Sequence, residues 1–148
     1  MERSDSMGFE KIMQNTPFMA AIIAWAIAQG TKIILTLVID KRFDLTRLVG
    51  TGGMPSSHSA LVMAMAFSVG KSDGFDSTIF GLAIILCFVV MYDAAGIRRA
   101  AGKQAEILNY FINEHKIPNM ENLKELLGHT PLEVFAGALL GICIGLYV

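Results

Sequence analysis

The stretch PFMAAIIAWAIAQGTKIILTLVI, residues 17–39, decides the fold. As a helix it is long enough to cross a hydrocarbon core of ~30 Å. Trp25 sits mid-run, and Gln29 and Lys32 interrupt it near its far end. The same charge-poor pattern recurs outward from it. Segments 12–31, 48–70, 77–92 and 134–148 contain no Asp, Glu, Lys or Arg. Charged residues make up 17% of the chain and hydrophobic residues 53%. A soluble domain carries about 25% charged residues. The 148 residues suffice for one domain. This composition argues against a soluble enzyme and a disordered chain. A net charge of −1 gives no global field to recruit nucleic acid.

The pattern predicts an all-α, polytopic membrane bundle of about four spans, near 17–39, 55–70, 77–97 and 131–148. They form a single integral-membrane domain over residues 1–148. The second span has roughly 16 residues, or ~24 Å of helix, so its start is expected inside protein. Residues 71–76 read as a tight polar turn. An extramembrane helical segment is expected over about 98–128, with one greasy side from Ile97, Ala101, Leu108, Phe111 and Ile112. Pro118 breaks it, and Asn119 is expected to cap a short helix carrying Leu123, Leu126 and Leu127, closed by Gly128. The mixed charges of Glu2, Arg3, Asp5, Glu10 and Lys11 do not suit a secretory signal, so the first span is expected to be retained. Cys87 and Cys143 fall in apolar runs and read as small core hydrophobes. The small face Gly137-x-x-x-Gly141 offers a surface for a homodimer.

Four spans gather Lys41, Arg42, Arg47, Arg98, Arg99, Lys103, Lys116 and Lys124 on one side, against Arg3, Lys11 and Lys71 on the other. The positive-inside rule makes the first side cytoplasmic. His58 and His129 both begin spans that enter from it. Arg98 and Arg99 end the third span there, and Lys32 lies near that end of the first. Ionisable groups at such places are functional candidates by default.

In Gly53-Met54-Pro55-Ser56-Ser57-His58, proline at the first helical position leaves the amides of Ser56, Ser57 and His58 as an anion seat. The bland reading is a capped, glycine-rich helix start. In His129-Thr130-Pro131-Leu132-Glu133, Glu133 either closes a capping box with Thr130 or orients the His129 imidazole. Asp93 reads first as an ion-pair partner of Arg98 or Arg99, and second as a catalytic group. Gln29 reads as a hydrogen-bonding group between helices. No ligand pair has the compact spacing of a zinc motif.

These segments resemble the divergent branch of the type 2 phosphatidic acid phosphatase superfamily, related to acid phosphatases and vanadium haloperoxidases. The resemblance rests on GGMPSSHSA at 52–60, MYDAAGIRRAAGKQAEILN at 91–109 and LGHTPLEVFAG at 127–137, and covers nearly the whole chain. Ser57 stands where the family's PSGH motif has glycine, and Glu133 where its HxxxD motif has aspartate. The arginine usual six residues before the second histidine falls on Leu123. The resemblance implies a lipid phosphatase acting without metal or cofactor. His129 would attack phosphorus, Glu133 would orient it, and His58 would protonate the leaving oxygen. Lys32, Arg98, Arg99, Ser56 and Ser57 would bind the phosphate, with Asp93, Gln29 and Gly53 in support. The substrate class is a lipid phosphate monoester or diphosphate: phosphatidylglycerol phosphate, phosphatidate or a polyprenyl diphosphate. The partners are that substrate and the bilayer, with no nucleic acid. The rival reading is a catalytically silent relative that binds lipid phosphate or a membrane partner.

Overall fold

A computed structural model describes residues 10–39, 53–115, 120–125 and 127–148. Lys41, Arg42, Arg47, Lys116, Pro118, Asn119 and Leu126 lie outside the described residues. The described residues form an all-α bundle. Its helices are α1 (Thr16–Ile39), α2 (Ser57–Asp73), α3 (Thr78–Ala95), α4 (Ile97–Glu114) and α5 (Pro131–Tyr147).

Helix α2 is the axis of the bundle, packed by α1, α3 and α5. It plays that part because its residues are small. Ser56, Ser59, Ala60, Ala64 and Ala66 are fully buried, and neighbours approach its backbone closely. From α1, Ala20, Ala24 and Ala28 recur every four residues and pack on Ala60 and Ala64. Lys32 is the next residue of that stripe and is 3% exposed. From α5, Gly137 lies on the Ser56 backbone, Gly141 on Ala60 and Gly145 on Ala64, where an added Cβ would overlap each one. This corrects the expected dimer face: the Gly137-x-x-x-Gly141 stripe is already filled by the chain's own α2.

Helix α3 buries only Cys87 and Ala94, and exposes Ile79, Leu82, Ile85, Phe88 and Val89. Such an uninterrupted apolar face suits lipid rather than water. Thr16–Val38 and the run Thr78–Glu114 are long and apolar enough to cross a membrane, and Pro131–Tyr147 is apolar but shorter. The two cysteines differ. Cys87 is buried and donates to the Val62 carbonyl at 3.2 Å, whereas Cys143 is exposed, against the expectation of a core position.

Three local expectations are corrected. Proline does not open α2: Ser56 is the N-cap, its side chain accepting from the Ser59 amide, and Pro55 precedes it. The helix runs past Gly70 to Asp73, so the turn shrinks to Gly74–Asp76. Residues 120–125 are not helical. The Asn109 side chain bonds both the Leu123 amide and the Leu123 carbonyl, at 2.7 and 2.8 Å. Those backbone groups are thereby diverted from a helical ladder. The segment lies against Gly102 of α4, where any side chain would meet the carbonyls of Glu125 and Leu127.

Candidate active site

Four elements converge at the Ser56 end of α2, and hydrogen bonds tie them. The Lys32 Nζ of α1 donates to Ser57 Oγ at 3.3 Å. The Ser56 amide donates to the Glu133 carbonyl of α5 at 3.0 Å, and the His129 amide donates to the Ala94 carbonyl of α3 at 2.9 Å. The His58 and His129 rings thus come within 6.4 Å of each other, centroid to centroid. His58 is exposed, whereas His129 is 2% exposed.

Glu133 fills both roles that the sequence offered as alternatives. Its Oε2 accepts from the Thr130 amide at 2.9 Å and from His129 Nδ1 at 3.2 Å, and the Glu133 amide donates to Thr130 Oγ1 at 3.3 Å. The capping box fixes the carboxylate, and the fixed carboxylate sets the imidazole. With Nδ1–H donating to a carboxylate, the lone pair lies on Nε2. That Nε2 is buried and has no hydrogen-bond partner. Burial pushes the His129 pKa below its ordinary value of 6.5; the Glu133 bond opposes this and the Lys32 charge adds to it. The imidazole is therefore neutral at pH 7.

Arg98 and Arg99 are adjacent in sequence and diverge in space. Arg98 Nε bonds Asp93 Oδ2 at 2.5 Å, and both residues, with Lys32, act electrostatically on His58. The ion-pair reading of Asp93 is the one this geometry matches. Arg99 instead lines a pocket of about 250 Å³ together with Gly53, His129 and Glu133. Gly53 turns the chain into that rim at φ 85°. Gln29 is buried on α1, one turn before Lys32.

One expectation about the anion seat is corrected. The Ser56 amide bonds Glu133, and the Ser56 hydroxyl accepts from both the amide and the hydroxyl of Ser59. Ser56 is thus spent on joining α2 to α5, which leaves the first-turn amides of Ser57 and His58 at the helix end. The sequence reading also missed the far wall of the pocket, where Lys103, Glu106 and Glu125 join Arg99. The signal for it was the Arg99-to-Lys103 spacing of four, which places both cations on one face of α4. Among the described residues no group of three His, Cys, Asp or Glu is arranged to hold a metal ion.

No solved structure matches the chain. A Bacillus subtilis (strain 168) protein, the uncharacterized membrane protein YuiD, is 38% identical over 150 residues, covering 92% of this chain and 95% of that protein. The profile of the divergent PAP2 family matches residues 13–144, a range that takes in Lys32, both histidines and Glu133, and the chain belongs to that family.

Proposed function

We propose that this chain is a multi-pass membrane lipid phosphatase that hydrolyses a lipid phosphate monoester or diphosphate through a phosphohistidine, its site on the cytoplasmic face. The observation that carries this reading is the state of His129: a buried Nε2 without a partner, its ring set by Glu133, beside a second imidazole. A buried polar atom left unpaired costs about 1–3 kcal/mol, which is the kind of cost that a reacting atom incurs.

The first step forms a bond from His129 Nε2 to phosphorus and breaks the bond from phosphorus to the lipid oxygen. His58, protonated, gives its proton to that oxygen. Water then attacks phosphorus, His58 takes the water's proton, and the N–P bond breaks to free phosphate and restore His129. Splitting the reaction in this way replaces one hard step by two easier ones. Lys32, Arg98, Arg99, the Ser57 hydroxyl and the first-turn amides of α2 offer fixed positive charge to the phosphoryl oxygens. Asp93 holds Arg98 on the His58 side. Gln29 and Gly53 support the site from α1 and from the turn before α2. The membrane reading rests on the apolar faces of α1, α3 and α5, and the cytoplasmic orientation on the positive-inside rule.

The test is phosphate release from a lipid-phosphate panel in detergent by the unaltered protein and its His129→Ala variant, with a search for acid-labile phosphohistidine. Turnover is expected to vanish with the side chain; unchanged turnover sinks the mechanism. Binding of vanadate and lipid phosphate by the unaltered protein without any turnover would assign it instead to a silent, lipid-phosphate-binding role.

A further inference from the structure

We infer that the pocket beside His129 is a head-group subsite that selects lipids whose head is a phosphorylated polyol. This rests on the lipid-phosphate reading above. The pocket is separate from the Lys32–Ser57 contact and is built by α4 together with Glu125 and Leu127–Thr130. Arg99, Lys103 and Glu106 follow one another at i, i+4 and i+7, so they share one face of that helix. Glu125 also lines it, from the segment packed against Gly102. It is held there by Asn109, which is 3% exposed and whose Nδ2 donates to Glu125 Oε1 at 2.7 Å. Gly102 lets this segment approach, because a side chain there would strike the Glu125 carbonyl. The segment is therefore fixed from within the fold.

Size and charge then identify the ligand chemistry. A volume of about 250 Å³ equals that of roughly eight water molecules at ~30 Å³ each, more than one phosphate group requires. Two cations and three carboxylates line it, Glu133 being engaged by Thr130 and His129, so it presents no excess of positive charge to a ligand. Ionised carboxylates only accept hydrogen bonds. They repel a bare phosphate or diphosphate and favour hydroxyl groups. Arg99 and Lys103 offer donors to an anion. The matching head carries an anion and hydroxyls together. Phosphatidate has no hydroxyl on its head, and a polyprenyl diphosphate has charge without hydroxyls. A phosphorylated glycerol head has an inner phosphodiester for Lys103, a hydroxyl for the carboxylates, and a terminal phosphate left for Arg99 and the histidines.

The experiment measures equilibrium binding in mixed micelles to the full chain carrying His129→Ala, which stops turnover. The probes are a lipid with a phosphorylated glycerol head, phosphatidate, and a polyprenyl diphosphate. The first is expected to bind about ten-fold tighter than the others, or ~1.4 kcal/mol. Adding Lys103→Ala or Glu106→Gln is expected to bring the three within about two-fold. Both positions are exposed, where substitutions cost little stability. Equal affinities at the outset, a preference for the diphosphate, or a parallel loss for all three lipids on changing Lys103 would each overturn the subsite. The two readings fail separately. Head-group preference without phosphate release from the unaltered protein keeps the subsite and removes the hydrolase. Phosphate release without preference does the reverse.

Discussion

The two ends of α2 obey opposite rules. At its Asp73 end the chain turns through Gly74, and Ser77 caps α3 by accepting from the Phe80 amide at 3.2 Å. Phe67, Phe75 and Phe80 seal that turn edge to face, with centroids 5.1 to 6.1 Å apart. Lys71 sits at the surface and donates to the Tyr147 carbonyl, at 3.5 Å. These features close a helix pair, and near that end the buried Ser68 hydroxyl has no hydrogen-bond partner among the described residues. At the Ser56 end a lysine is 3% exposed, two imidazoles approach each other, and one buried nitrogen has no partner. Burying a charge and orphaning a polar atom both oppose folding. A buried lysine beside two imidazoles, one with an orphaned nitrogen, sets the Ser56 end apart and marks it as the functional one.

The sharpest way to break this contrast is Lys32→Met. If Lys32 stabilises a phosphoryl group, turnover falls by about 10²–10³-fold. Replacing a buried charge by an apolar side chain of similar length leaves the unfolding midpoint unchanged or raises it. A variant that loses activity only because it unfolds would make Lys32 a structural group, and the two ends of α2 would then be alike.

Glu133 allows a finer cut, because its two bonds can be separated. Glu133→Gln keeps an acceptor for the capping box and removes the charge that orients His129. Turnover is expected to fall by about 10²-fold with little change in melting, whereas Glu133→Ala also loses about 1 kcal/mol of cap. The pH profile adds a sign. A proton on Nε2 removes the nucleophilic lone pair, so the acidic limb of the profile falls as pH drops through the folded pKa of His129, while loss of the His58 proton sets the basic limb. The acidic midpoint lies below 6.5, because burial lowers the value. The unfolded chain takes up its proton first, near 6.5, so this residue's stability contribution also declines as pH drops below that value. Glu133 raises the His129 pKa, and Glu133→Gln therefore moves the acidic limb to lower pH. A shift to higher pH would refute the pairing.

The sequence made one end of α2 more legible than the other. Apolar runs alternating with charged loops fixed the antiparallel order of α1, α2, α3 and α5, and that order alone brought Lys32, His58, Arg98 and His129 to one face. What it hid were choices of partner. Gly137-x-x-x-Gly141 announces a close helix contact, and nothing local says whether a second copy or α2 makes it. Leu123 was read as helical because Asn109, 14 residues away, competes for its backbone. Lys103 counts in the sequence only toward the positive side of the membrane, because a cation on an exposed helix face usually meets only water. Ser56 was read as an anion donor because its pairing with Glu133 joins two distant helices.

The smallest expected effect belongs to the aromatic end. Phe80→Ala removes two edge-to-face contacts, with Phe67 and Phe75, and each such pair contributes about 0.5–1.5 kcal/mol beyond the area it buries. The unfolding midpoint in detergent should therefore drop measurably, since Gly70 opposite that ring has no side chain to fill the gap. Phosphate release per folded molecule should stay within about two-fold, because α2 is a rigid rod of 17 residues, ~25 Å long, and its histidine end is held by its own bonds to α1 and α5. A large loss of turnover in a fully folded Phe80→Ala protein would mean that the aromatic turn sets the position of His58. The division of labour along α2 would then give way to a coupling along its length.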